Sequence, residues 1–570
     1  MKFMLLFVVA FSVCVQAQAP ILTGLSPNSV AAGSNSASVT LTGAGFSPNC
    51  TVRCGARVLA VNYVNATSLQ VALPASDLTS GHTLLLRVER PLFGISGALP
   101  LRVTGESLAS GAWHCVALTS TAKASVWGSN FSGQLGNGTF LTSGYPLRLS
   151  ATGVAAASAG QGHTLLVNND GTLRAAGYNA SGQLGMGDTT TRGTLAAVPG
   201  ISNAIAVAAG GYHTVILLAD GTVRTCGENG SGQLGLGDTT DRTSFTPVAG
   251  LSSVVAICAG ESHSLALLAD GSVRAWGLNS NGQLGLGDTS MRTSPTAINT
   301  LSNVVALAAG GWHSLMLAAT STVWSCGANL SGQLGLGDNT DRMTPASTSA
   351  TNVSTIAAGG YHSAILSAGG TIQSCGDNTS GQLGLGDNLT RTSFSVVPLL
   401  TARALAAGTA HSLFLGPWGL VYASGSNTYG QLGDNSFVNS NFPVQVAYLD
   451  LTPVTLALSA QLPSTFTIET NGAIEHAGHV YLNAFSADPL NATQPYLGQW
   501  FGLFLAYDDL LFFVNTPPFV GVLNAVGVSS AALTLPLPTL TGLQIFGVST
   551  VWDLNAGIYT GYSAIATHTF

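Results

Sequence analysis

Lysine is almost missing from this chain. Only Lys2 and Lys123 occur among 570 residues, and Lys, Arg, Asp and Glu together make up 7% of the sequence, against about 25% in ordinary globular domains. A formal charge of −7 with so few cations leaves no basic patch to hold phosphates, so nucleic acid is excluded as the expected partner. The surface must be built from Ser, Thr, Asn and Gly. Long hydrophobic runs are also scarce: beyond Phe3–Val15 none is uninterrupted enough to cross a bilayer. No Cys-x-x-Cys occurs, which removes the usual zinc frameworks, and no metal or cofactor is expected.

The single apolar run at the start follows Met1-Lys2 and ends at Val15-Gln16-Ala17, with small residues where a signal peptidase reads. A signal peptide over residues 1–17 and a mature chain beginning at Gln18 are expected. A buried N-terminal helix is the alternative. Removing that segment leaves Cys50, Cys54, Cys115, Cys226, Cys258, Cys326 and Cys375, an odd set that permits bridges without full pairing. Cys50 and Cys54 would lie about 13 Å apart in an extended strand, beyond disulfide reach unless the chain bends.

Against these absences stands an abundance of glycine, 70 residues, arranged in a repeat. A glycine-bounded His (His114, His163, His213, His263, His313, His362, His411) is followed about twenty residues later by N-x-x-G-Q-L-G. The Gln copies are Gln134, Gln183, Gln233, Gln283, Gln333, Gln382 and Gln431, and both series advance by 49 or 50 residues. That period is too long for a helical pair and suits four short strands plus turns. Within Ala206–Asp238 two apolar runs flank Asp220-Gly221, a tight-hairpin signal in which both central residues would take positive φ. The small residues before each His, such as Ala208-Ala209-Gly210, fit an innermost strand where neighbouring blades crowd an axis.

The motif A-G-x-x-H-[ST] followed by G-Q-L-G-[LM]-G-D resembles the regulator of chromosome condensation repeat, whose members form seven-bladed β-propellers. The resemblance covers roughly residues 103–450, and departs at GQLGNG (Gly133–Gly138) and GQLGDN (Gly430–Asn435), the first and last copies. Terminal repeats meet different neighbours where a ring closes. The closing contact is expected between Phe442–Val446 and the strand near Leu101–Val103. Residues 20–103, with S-P, T-G-x-G-F and V-x-L-P landmarks, resemble an IPT/TIG domain, an immunoglobulin-like sandwich. Residues 451–570 show alternation at Thr465–Glu469 and regular Pro, Gly and Asn punctuation, which suggests a second β-sandwich. They resemble the C-terminal β domains of some large secreted bacterial proteins. The expected architecture is therefore all-β: a propeller over 104–450 flanked by an immunoglobulin-like sandwich and a C-terminal sandwich.

Repeated residues argue for framework. Ligands for one zinc ion must converge within about 2 Å of a centre, whereas one His per blade is held apart by the blade spacing; each His is expected to bond backbone within its own blade. Asn130, Asn179, Asn229, Asn279, Asn329, Asn378 and Asn427, with their Gln partners, read as turn clamps. Carboxylates four residues before Arg192, Arg242, Arg292, Arg342 and Arg391 read as loop pins. Cys226, Cys326 and Cys375 share one slot with Trp127, Trp276, Ala176 and Ser424, and read as packing residues.

A partner must read what differs between blades. Immediately before the His stand Trp113, Gly162, Tyr212, Ser262, Trp312, Tyr361 and Ala410, and one residue earlier in the fourth copy stands Glu261. Trp and Tyr dominate interface hot spots, so Trp113, Tyr212, Glu261, Trp312 and Tyr361 are the candidate binding residues. The alternative is that each aromatic only caps the adjoining blade. No catalytic set stands out. The expected function is a secreted or surface-associated, non-enzymatic scaffold that presents a propeller face to an extracellular protein or glycan. An exchange factor for a small GTPase is the next reading that the family resemblance implies, and a polysaccharide lyase a third.

Overall fold

The computed structural model describes residues 19–447, apart from 28, 32–35, 55–56, 75–81, 92–93, 97–98, 105, 120–121 and 417–418, and beyond 454 describes strand pairings alone. The expected signal peptide lies outside the described residues. No helix among them is long and apolar enough to cross a membrane.

Seven four-stranded antiparallel sheets follow one another along the chain, each made of four consecutive strands. The third blade shows the pattern. Ala204–Ala209 pairs with His213–Leu218, which pairs with Val223–Gly227, which pairs with Arg242–Pro247. The small-residue strand is innermost, as its composition requires: first strands of neighbouring blades touch all the way round, including the first and seventh. Glycine closes this axis. A Cβ on Gly210 would stand 2.6 Å from the carbonyl oxygen of Gly260, and the same clash recurs from Gly111 to Gly160 and from Gly408 back to Gly111.

The second-to-third strand turn differs from the two-residue hairpin that Asp-Gly suggests. Gly221 alone takes positive φ, 79°. Its N–H donates to Leu218 O, while the Asp220 carboxylate accepts the Thr222 N–H at 2.9 Å. Asp220 stays right-handed because its side chain can cap the turn from there, so the loop is Ala219-Asp220-Gly221. In the fifth blade Ser321 occupies the glycine position at φ 63°.

Ring closure also departs from expectation. Among the described residues no sheet combines strands from both ends of the propeller: Leu99–Thr104 pairs with His82–Arg90 in the N-terminal sheet, and Ser440–Gln445 pairs with Val421–Gly425 in the seventh blade. The ring is shut by side chains and loops across the joint between blades 7 and 1, because blade 1 already has its own fourth strand, Ser143–Thr152.

Ahead of the propeller, nine strands run in the order set by Ile21–Ser26 beside Ser36–Ala44 beside Ser68–Pro74, and enclose one core that includes Val39, Leu41, Val52, Leu69, Leu86 and Val88. Cys50 is buried in this core, and Cys54 packs against it. The sandwich expected over 451–570 falls largely outside the described residues; strands from Thr455–Leu462 to Ile565–Thr569 pair there in small sheets of two or three.

Candidate partner-binding face

The repeated residues are consumed inside the ring. Each His is fully buried, and its Nε2 meets the Ser or Thr hydroxyl that follows the next blade's His: His114 to Thr164, His163 to Thr214, His213 to Ser264, His263 to Ser314, His313 to Ser363 and His362 to Ser412, all at 2.8–3.1 Å. That hydroxyl donates to the main-chain carbonyl of the Gln in the earlier blade at 2.6–2.9 Å. Its proton being so used, it must accept from Nε2–H, which fixes the tautomer and leaves Nδ1 as a bare acceptor. All seven Nδ1 atoms are buried without a partner. Each His therefore grips the neighbouring blade, where a bond to its own blade's backbone had been expected. Burial pushes the imidazoles down to about 3 for His114, His213, His313 and His411 and about 4 for His163, His263 and His362.

The seventh joint is chemically different. Cys115 stands where the other blades have Ser or Thr; its Sγ lies 3.0 Å from His411 Nε2 and donates to Gln431 O at 3.3 Å. Ser110 Oγ, 2.7 Å from His411 Nε2, and Trp127 Nε1, donating to Gln431 O at 2.9 Å, reinforce the joint. The Trp/Cys/Ser slot is thus more than packing. Trp276, Cys226, Cys326, Cys375 and Ser424 all turn a donor toward the preceding Gln carbonyl, at 2.9–3.6 Å, and only Ala176 has none to offer.

The Asn and Gln residues clamp the third-to-fourth strand loop. Asn Oδ1 accepts the N–H of the Leu in GQLG at 2.9–3.0 Å, and Gln Oε1 accepts the N–H two residues before it at 2.8–3.1 Å in every blade. Five Asp–Arg pairs at 2.6–2.7 Å pin the far side of this loop.

What remains is one face. The carbonyl of each residue before the His accepts the N–H of the residue before the Asn, from Ser129 to Trp113 through Ser426 to Ala410. The variable positions of both loops therefore stand side by side around the ring. Trp113 and Tyr361 are exposed; Tyr212, Trp312 and Glu261 are half-buried. The structure brings only some of them together. Tyr212 meets Tyr178 of the preceding blade edge-on at 5.6 Å, and Trp113 meets Tyr429 of the seventh blade at 6.1 Å, so these two do lean on a neighbour as the capping alternative requires. Gln161 Nε2 donates to Glu261 Oε1 across the third blade, where Gly211 N–H donates to Glu261 O at 3.1 Å.

Burial holds the Glu261 carboxyl above its ordinary range, with Glu228 adding to the effect; Glu228 is raised by burial and by Asp241. The Tyr212 hydroxyl is raised by burial first, then by Glu261, Tyr178 and Glu228. Sequence reasoning missed Tyr178, Glu228, Phe131 and Tyr429. Their signal was present, since the residues flanking Asn in N-x-x-G-Q-L-G vary as freely as those before His.

Comparison with known proteins agrees with this geometry. Residues 194–481 match the RCC1-like domain, 126–167 the regulator of chromosome condensation (RCC1) repeat, and 20–102 the IPT/TIG domain. Among curated relatives, the ultraviolet-B receptor UVR8 of Arabidopsis thaliana is 37% identical over 90 residues, 15% of this chain and 20% of the receptor. The X-linked retinitis pigmentosa GTPase regulator of Canis lupus familiaris is 40% identical over 90 residues, 15% of this chain and 9% of the regulator. The matches thus span a fifth or less of those relatives. Human WBSCR16 shares the fold with a TM-score of 0.53 at 24% identity over 57% of this chain and 95% of that one. Prp20p from Saccharomyces cerevisiae does so with 0.52 at 21% over 61% and 87%. A domain match over half the sequence, on a ring of seven joints held by the same His, Asn and Gln, makes this chain a member of the RCC1-like domain family.

Proposed function

We propose that the chain is a non-enzymatic scaffold that works outside the cytoplasm and holds a protein partner on the face built by the loops before His and around N-x-x-G-Q-L-G. One observation carries this reading: every repeated polar side chain is spent on holding blades and loops together, so recognition falls to the residues that differ. Those residues are aromatic and acidic. Glu228, Asp241, Glu261, Asp341 and Asp377 lie in or beside these loops, and among the described residues no Lys or Arg pairs with Glu228 or Glu261. Such a surface suits a protein that presents cationic side chains, and association should weaken as salt rises. Export is inferred from Lys2, Phe3–Val15 and Val15-x-Ala17.

The test compares Trp312→Ala and Tyr361→Ala with the parent in binding to a partner captured from the extracellular medium, after equal melting temperatures are established. A loss of about 2 kcal/mol in affinity for either variant supports the face; unchanged affinity for both places the site elsewhere. A second reading, regulation of a small GTPase, is favoured by the relative named as a GTPase regulator. N-terminal sequencing separates the two. A mature start at Gln18 in secreted material supports export, and an intact Met1 in the soluble cytosol favours the GTPase reading.

A further inference from the structure

The joint between blades 7 and 1 carries a surface unlike the rest of the ring. In blades 2 to 6 the third-to-fourth strand loop holds an Asp–Arg pair around Thr, Ser, Asn, Asp or a single apolar residue, Met291 in blade 4 and Leu389 in blade 6. Blades 1 and 7 drop the pair together. Thr139 and Ser143 replace Asp and Arg in one, Ser436 and Ser440 in the other, and the loop tips become Phe140-Leu141 and Phe437-Val438. These tips are exposed, Leu141 by 75% and Val438 by 72%.

Phe437-Val438 extends into an apolar surface at the joint between blades 7 and 1, whereas Phe140 lies on the other side of blade 1, against Gly193 of blade 2. A Cβ on Gly144, next to exposed Tyr145, would lie 3.4 Å from the Phe437 ring, and one on Gly430 would lie 2.5 Å from Gly144 Cα. Tyr429, beside Gly430, makes edge-on contacts with Phe131 at 5.6 Å and Trp113 at 6.1 Å. The surface spans the joint, and its carboxylate, Asp434, accepts hydrogen bonds from Asn427 Nδ2 and the Ser436 N–H. An exposed apolar patch of this extent marks a docking site.

We propose that this joint is the docking surface for the chain's own segment 451–570. The chain leaves the propeller here: Ala447 N–H donates to Gly433 O at 2.8 Å, in the same loop that carries Phe437 and Val438. A tether of a few residues gives the segment a high effective concentration at the patch, which no free partner matches. Composition agrees. Residues 451–570 contain no Lys or Arg, carry Glu469, Glu475, Asp488, Asp508, Asp509 and Asp553, and include runs such as Trp500–Leu505. The acidic loops of blades 3 to 6 repel such a segment more strongly than the joint, where Asp434 is the carboxylate in the blade 7 loop. Docking there reserves Tyr212, Glu261, Trp312 and Tyr361 for a separate partner and covers Trp113.

The experiment places the photoreactive analogue benzoylphenylalanine at position 437 of the full chain, a change that keeps an aromatic ring at an exposed site. Irradiation of dilute protein is expected to yield monomer-mass product in which peptides from 451–570 are joined to residue 437, and the same analogue at position 361 is expected to yield none. Cross-links confined to dimer-mass species would show a second copy on the patch and overturn the proposal, as would quantitative recovery of uncross-linked protein. As an independent readout, Phe437→Ser with Val438→Ser is expected to speed amide exchange across 451–570 at least tenfold while leaving exchange in the blades unchanged. Unchanged exchange in that segment would also overturn it.

Discussion

Lowering the pH from 8 to 5 should unfold the propeller steeply, because it holds seven neutral imidazoles that the unfolded chain would protonate. The folded values of about 3 or 4 lie below the ordinary 6.5. The unfolded state therefore binds more protons, and stability present above pH 6.5 is lost as pH falls toward the folded values. At pH 5 each His costs about 2 kcal/mol, since one unit of displacement is worth about 1.4 kcal/mol, and the seven together about 14 kcal/mol. That equals the whole stability of most domains, about 5–15 kcal/mol.

The surroundings offer no rescue. Six of the rings face a hydroxyl whose proton is already committed, His411 faces Cys115 and Ser110, and every Nδ1 is an orphan; Asp377 beside His362 is the carboxylate that opposes the shift. Glu228 and Glu261, held above their ordinary range, act in the opposite direction near and above 4.5 but are only two groups. Acid titration followed by tryptophan fluorescence and far-ultraviolet circular dichroism should show one transition between pH 6 and 4 with an uptake approaching seven protons. Uptake of one or two protons, or a fold intact at pH 3, would refute the buried-neutral assignment.

Other outcomes follow from single residues. Thr214→Ala leaves the His163 Nε2–H unpaired and the Gln183 carbonyl with the weak Cys226 thiol donor, and should cost about 1–3 kcal/mol in denaturant melts, more than a surface hydroxyl. At the closing joint, Cys115→Ser should stay within about 1 kcal/mol of the parent while Cys115→Val, which loses the thiol donor to Gln431 O and adds a methyl group at a buried site, costs about 1–3 kcal/mol; equal melting of both would deny the thiol a hydrogen-bonding role. Ser321→Gly relieves a left-handed turn residue and should raise stability by about 0.5–1 kcal/mol, read as a higher melting temperature. Arg242→Ala should change stability by no more than about 1 kcal/mol, because its partner Asp238 is largely solvated.

Much of the architecture was legible because it is periodic. A small-residue strand, a His, an Asp-Gly turn and N-x-x-G-Q-L-G recur in register, and local sterics dictate where each must sit. The five loop ion pairs were equally legible, since four residues of a turn bring the two side chains together without help from the rest of the fold. The reading failed wherever a partner lies in another blade. His213 looked self-contained, yet its hydrogen bond is to Ser264, and Cys226 looked like filler, yet it turns to Gln183 O. The closing strand was misplaced for the same reason.

The sequence by itself determined the number of blades, the order of strands and the identity of the framework residues, because these follow from spacing and steric size along one chain. Tertiary structure alone decided which hydroxyl each imidazole grips, which loops share a face and how the ring shuts. Those outcomes depend on groups as far apart as Cys115 and His411, brought within 3.0 Å only when seven sheets meet around one axis.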